Sequence, residues 1–147
     1  ANGAKMAAMA CALLLVWAAA ALAGASGTQR PGPPDAGTTV VCALRGRSLP
    51  DLDNAAIGDA DDSFVLVSAG AQSCSSGTVT NSANPRWNFC CELQGLNALD
   101  VVRVQVFEVD VFREDQLIGA GETPATGGER WVTLRGEGRR AGVPAGQ

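Results

Sequence analysis

Val106-Phe107-Glu108-Val109-Asp110-Val111-Phe112-Arg113-Glu114-Asp115-Gln116-Leu117-Ile118-Gly119 runs from an apolar segment through clustered acids and back to apolar residues. Its approach is a strand: Val102, Val104 and Val106 alternate with Arg103, Gln105 and Phe107, and period-two alternation marks a half-buried strand. Acid then crowds in, with Glu108, Asp110, Glu114 and Asp115 inside eight residues. Leu117-Ile118-Gly119 returns to apolar chemistry. Hard cations such as calcium take six to eight oxygen ligands, and carboxylates supply them. Carboxylates held this close without a cation repel one another. From this stretch alone, a solvated acidic turn reads the same way.

A second stretch repeats the pattern. Leu49-Pro50-Asp51-Leu52-Asp53 is followed by Asp59-Ala60-Asp61-Asp62-Ser63-Phe64-Val65-Leu66-Val67, again acid beside a strand. The two stretches hold nine of the fifteen acids: Asp51, Asp53, Asp59, Asp61, Asp62, Glu108, Asp110, Glu114 and Asp115. The acidity is therefore local, although the net charge is only −4. There is no basic stripe, so nucleic acid is not an expected partner. The chain has no histidine, which excludes histidine-dependent triads and histidine metal sites.

At 147 residues one domain with a real core is expected. Residues 1–25 read as a secretory leader. Lys5 gives a positive start, Met6–Ala23 is an apolar run, and Ala23-Gly24-Ala25 fits the small-x-small cleavage rule. The run is nearly long enough to span a bilayer, but it is Ala-rich and ends at that site, which favours cleavage over an anchor. Residues 26–37, with Pro31, Pro33 and Pro34, read as a linker. The domain is expected over 38–136 and a flexible Gly- and Arg-rich tail over 137–147. Strands are expected at Val40–Leu44, Ser63–Ala69, Ser73–Thr80, Trp87–Leu93, Val102–Glu108, Leu117–Gly121 and Arg130–Leu134. This spacing, with Gly and Pro turns and no helical period, predicts an all-β antiparallel sandwich.

The ordered segments carry a family resemblance. Leu49-Pro50, the acidic loop, Asp62-x-Phe64-Val65-x-Val67, then Thr78, Asn84-Pro85-x-Trp87-Asn88, then Val106-x-Glu108-x-Asp110 and Leu117-Ile118-Gly119 resemble a C2 domain across roughly Thr38 to Gly136. Thr78–Trp87 and the ungapped length from Glu108 to Gly119 are most similar to the perforin-type C2 subgroup. The resemblance implies a C2-like sandwich of eight strands, one more than the seven counted. It implies calcium ligands at Asp62 and Asp110, with Glu108 where the family has Asp. Glutamate displaces the oxygens by about 1.5 Å, one bond length. Gln116 stands where a carboxylate is expected, and Asp115 beside it compensates. The first-loop ligand falls on Ala56 by family spacing, so Asp53, Asp51 or Asp59 must stand in, and Asp53 is preferred. The metal set is then Asp53, Asp62, Glu108, Asp110 and Asp115. Ile57, Val111 and Phe112 become apolar tips that dip into an anionic phospholipid membrane. Trp87 is expected in the core, and Trp131 reads as either core or anchor.

Outside the leader, which holds Cys11, four cysteines remain: Cys42, Cys74, Cys90 and Cys91. An even count in a secreted domain suggests disulfides. In C2-like sandwiches the first strand pairs with the Trp-containing strand, which implies a Cys42–Cys90 bridge on the outer face. Cys91 is left in the core, bonded to Cys74 or simply a small buried hydrophobe. The implied function is a secreted, calcium-dependent module that is peripheral to membranes, without enzymatic activity, linked to membrane attack and to a pore-forming partner. A calcium-independent interaction sandwich competes with it. A hydrolase is disfavoured because no motif names a nucleophile or an oxyanion hole.

Overall fold

The computed structural model describes residues 11–18, 37–52 and 60–136. Eight strands follow in order: β1 Cys11–Ala18, β2 Thr38–Arg47, β3 Ser63–Ala69, β4 Gln72–Ser75, β5 Arg86–Gln94, β6 Val101–Glu108, β7 Gln116–Pro124 and β8 Gly128–Thr133. They form two four-stranded antiparallel sheets, ordered β5-β2-β1-β8 and β4-β3-β6-β7. No helix occurs among the described residues. The expected all-β, C2-like antiparallel sandwich is therefore what forms.

Alternation builds the core. Val65, Val67 and Ala69 of β3 and Val102, Val104 and Val106 of β6 are buried, and they face Val41, Ala43, Trp87, Cys91 and Leu93 of the other sheet. A buried valine or leucine stabilises a fold by about 1.5–3 kcal/mol. Trp87 is buried, as its alternation with Phe89 predicts, and its ring N–H donates to the Ser63 carbonyl at 3.3 Å. Gly46 is what lets that ring approach β2 closely, because a Cβ there would meet the Trp87 ring at 2.8 Å.

Two elements differ from the expectation. The stretch expected as a strand over 73–80 is short: β4 ends at Ser75, and only Val79 returns, as an isolated bridge to Ser63. The eighth strand comes from within the stretch that reads as a leader. β1 lies between β2 and β8, pairs with both, and buries Ala12, Leu13 and Leu14. The sandwich thus extends back beyond residue 38. An unbroken apolar run such as Cys11–Ala18 reads equally as a buried strand and as a leader. Cleavage after Ala25 and pairing as β1 are mutually exclusive uses of the same residues. The linker before Gly37 and the tail 137–147 lie outside the described residues.

Both cysteine pairs are joined. Cys42 and Cys90 are register partners on β2 and β5 and form a disulfide. Cys74 of β4 is bonded to Cys91 of β5, tying the edge of one sheet to the edge of the other. Outward-facing Cys90 and inward-facing Cys91 can each find a partner because successive strand residues point to opposite faces.

Candidate functional site: the acidic loop end

The two acidic stretches meet at one end of the sandwich. Ser63 and Glu108 are register partners at the end of the β3–β6 ladder, and the Val109 N–H donates to the Asp62 carbonyl at 2.8 Å beyond it. The loop before β3 and the loop after β6 are therefore neighbours. The segment 76–85 closes the same end: the Asn81 N–H donates to Asp62 Oδ1 at 2.7 Å, and the Ala60 N–H donates to Asn81 Oδ1 at 2.8 Å. Asn81 adopts φ 50, a left-handed conformation that asparagine tolerates better than most residues.

The carboxylates divide by depth. Asp61 is buried, and its Oδ2 accepts the Leu52 N–H at 2.8 Å, so this acid holds the loop backbone together. Glu108 is also buried, beside the fully buried Ser63, whose hydroxyl has no hydrogen-bond partner. Asp62 and Asp110 are half-buried, and Glu114 and Asp115 are exposed. Asp110 Oδ1 accepts the N–H groups of Phe112 at 2.8 Å and Arg113 at 3.1 Å, an Asx-type turn that shapes the loop tip. The Asp110 N–H points back to Asp115 Oδ1 at 3.4 Å. Above this turn Val111 and Phe112 stand in solvent, 84% and 93% exposed.

Of the sequence-predicted ligands, Asp62, Glu108, Asp110 and Asp115 are brought to one end. Asp53 and the tip residue Ile57 lie outside the described residues. The donors are all oxygen, which suits a hard cation. Yet among the described residues no group of three or more acidic, cysteine or histidine side chains closes into a metal cage.

Around the corner from these loops the sequence reading missed a cluster. Arg45, Arg47 and Arg86 are exposed on the outer face of the β5-β2-β1-β8 sheet, beside Trp131. The Arg47 guanidinium lies 4.3 Å and that of Arg45 5.4 Å from the Trp131 ring centroid. The signal was hidden by a bulge. Odd positions of β2 point inward through Val41 and Ala43, but the register shifts between Ala43 and Arg45. The extra residue reverses the faces, so Gly46 is buried and Arg45 and Arg47 turn outward. Trp131, 36% exposed, therefore lies outside the core.

An eight-stranded antiparallel sandwich with acidic loops gathered at one end defines a class of domain, and the sequence places the chain within it. Residues 37–134 match the C2 domain family, and the chain belongs to that family. Solved structures agree on the fold. The C2 domain A of Drosophila RIM aligns with a TM-score of 0.66 at 12% identity, over 87% of this chain and 99% of that one. The C2 domain A of plant Extended Synaptotagmin 1 aligns with a TM-score of 0.56 at 16% identity, over 70% and 95%. The calcium-bound C2 domains A and B of Extended Synaptotagmin 2 align with a TM-score of 0.55 at 15% identity, over 69% and 45%. No curated protein matches the chain.

Proposed function

We propose that this C2 domain is a secreted module that binds anionic phospholipid membranes in a calcium-dependent way, and that it acts without catalysis. The observation that carries the reading is the loop tip: Val111 and Phe112 stand exposed between Asp110 and the Glu114-Asp115 pair, at the end that also presents Asp62. Exposed apolar side chains flanked by carboxylates repel an anionic bilayer until a cation reverses the local field. Calcium is the cation that the oxygen donors suit, with Asp62, Glu108, Asp110 and Asp115 as ligands and Asp53 completing the set. A calcium-bound relative of the same fold supports that choice. Disulfides persist in oxidising compartments, so Cys42–Cys90 and Cys74–Cys91 support secretion. The similarity of Thr78–Trp87 and Glu108–Gly119 to perforin-type C2 domains supports a role in membrane attack beside a pore-forming partner.

A second reading is a calcium-independent interaction sandwich. It draws on the carboxylates already engaged with backbone, Asp61 with Leu52 and Asp110 with Phe112 and Arg113. Calorimetric titration with calcium separates the two: heat with saturable stoichiometry supports the first reading, and no heat supports the second.

A further inference from the structure

We propose that the space β1 fills between β2 and β8 is a strand-accepting site, and that an extended apolar strand of a different protein takes it once leader cleavage has removed β1. The proposal rests on the secretion reading above and names the kind of partner which that reading requires.

The slot is laid out by register. β1 runs antiparallel to β2 from Cys11↔Arg47 to Ala18↔Thr39, and antiparallel to β8 from Cys11↔Thr133 to Val16↔Gly128. β2 and β8 therefore run parallel to each other with β1 between them. Without β1 they stand about 9.5 Å apart, twice the spacing of paired strands and too far to bond to each other. Each then turns a row of backbone N–H and C=O groups to the gap, a ready template for another chain. The gap is also deep. Ala12 and Leu14 are fully buried in the core cluster with Val41, Ala43, Val132 and Leu134. Leu13, the register partner of Arg45 and Trp131, is 4% exposed on the opposite face. The slot thus asks for an apolar strand on both faces.

Both walls have anchors other than β1. β2 is laddered to β5 from Thr38↔Gln94 to Arg45↔Arg86, and the Cys42–Cys90 disulfide crosses that ladder. β8 has β1 as its one sheet neighbour, but the chain just after it is tied to β7. There the Ala120 N–H donates to the Arg135 carbonyl at 2.9 Å, and the Arg135 N–H donates to the Ala120 carbonyl at 2.8 Å. Gly121 permits this approach, because a Cβ there would collide with the Thr133 carbonyl. Loss of β1 therefore opens a frame whose two walls are held from their far sides. That frame lacks the burial β1 supplies, so a donated strand completes it.

Composition decides where the donor comes from. With cleavage after Ala25, residues 26–37 hold Pro31, Pro33 and Pro34, and the tail holds Gly138, Gly142, Pro144 and Gly146. Proline lacks the N–H that a strand paired on both sides must donate, and glycine has no side chain to fill the core. Neither stretch offers an unbroken apolar run like Cys11–Ala18. A second cleaved copy lacks one for the same reason, which leaves a different protein as the donor. Its strand needs a small residue where Ala12 lies and larger apolar ones at the places of Leu13 and Leu14. Strand addition of this kind takes affinity from main-chain bonds and specificity from the pockets for alternate side chains.

The test uses the full chain with a site-specific protease sequence inserted within residues 26–37, and with Cys11→Ser to prevent thiol exchange. The folded chain is cut there, unfolded in urea with its disulfides intact, and diluted into an excess of labelled peptide that copies residues 11–18 between terminal lysines. One peptide per domain should elute with the protein in gel filtration, and the product should melt like the cut chain refolded with its own fragment. A peptide with Leu13→Ile, Leu14→Ile and Leu15→Ile should enter within about tenfold as well, because it keeps pattern and volume. Leu14→Ala should compete at least about thirtyfold less well. Leu14→Pro, apolar but unable to donate to the ladder, should not enter. Absence of peptide from the refolded domain overturns the proposal. Equal uptake of the Leu14→Pro peptide would show apolar adhesion and overturn it too. A dimer of the intact chain, with β1 of one copy cross-linked to β2 of the other, would assign the slot to a second copy and overturn the choice of a different protein. N-terminal sequencing tests the underlying secretion reading separately. The chain secreted from cultured cells should begin at Ser26, and retention of residues 11–18 would sink the leader reading and with it the need for a donor, whatever the peptides do.

Discussion

Replacing Phe112 with alanine should separate membrane affinity from stability. The side chain is 93% exposed at the tip of the loop after β6, so truncating it removes almost no buried contact. Surface changes of that kind stay within about 0.5 kcal/mol, and the melting temperature should hold. The turn beneath survives, because it is built from the Phe112 N–H and Asp110 Oδ1 and not from the ring. On a bilayer the same ring transfers from water to hydrocarbon, a gain of about 1.5–3 kcal/mol. Its loss should weaken vesicle binding in calcium about 10- to 150-fold. Val111, 84% exposed and smaller, should matter less when truncated. The assay is titration of mixed phosphatidylserine and phosphatidylcholine vesicles with calcium present, alongside thermal melts. Unchanged partitioning would refute the insertion argument. A large drop in melting temperature would show instead that the ring packs within the protein.

Asp110→Asn keeps an oxygen to accept the Phe112 and Arg113 amides, so the loop should persist while calcium no longer raises the melting temperature as it does for wild type. Equal calcium shifts in both proteins would remove Asp110 from the ligand set. Non-reducing peptide maps should recover Cys42–Cys90 and Cys74–Cys91, and replacing Cys74 and Cys91 together by alanine should cost about 3 kcal/mol in denaturant titrations. A map joining Cys42 to Cys91 would contradict the face assignment of β5. Deleting residues 1–25 removes β1 and with it the burial of Leu13 and Leu14, about 3–6 kcal/mol against a typical total of 5–15. The truncated chain should lose most of its cooperative melting. Melting like the full chain would show the segment to be a removable leader.

Period-two alternation made β3, β5 and β6 legible, because each of these strands buries one face only. The Cys42–Cys90 pair was legible for the same reason once family topology put the two strands side by side. β1 was not, since Cys-Ala-Leu-Leu-Leu-Val-Trp-Ala has no polar face to betray its period. The arginine face was hidden by the bulge at Leu44, which reverses the parity that the first half of β2 establishes. At the loops, the gathering of Asp62, Glu108, Asp110 and Asp115 was legible but their separation by depth was not. Glu108 is drawn inward by the strand end that carries it and Asp61 by its bond to the Leu52 N–H, and a count of acids does not distinguish a carboxylate that holds backbone from one turned to solvent.

Calcium should switch membrane binding on. Sedimentation of the wild-type chain with mixed phosphatidylserine and phosphatidylcholine vesicles tests it most directly, at physiological ionic strength where charges beyond about 8 Å are screened. The protein should pellet with vesicles in calcium and return to the supernatant when chelator is added. Equal pelleting in calcium and in chelator would contradict it.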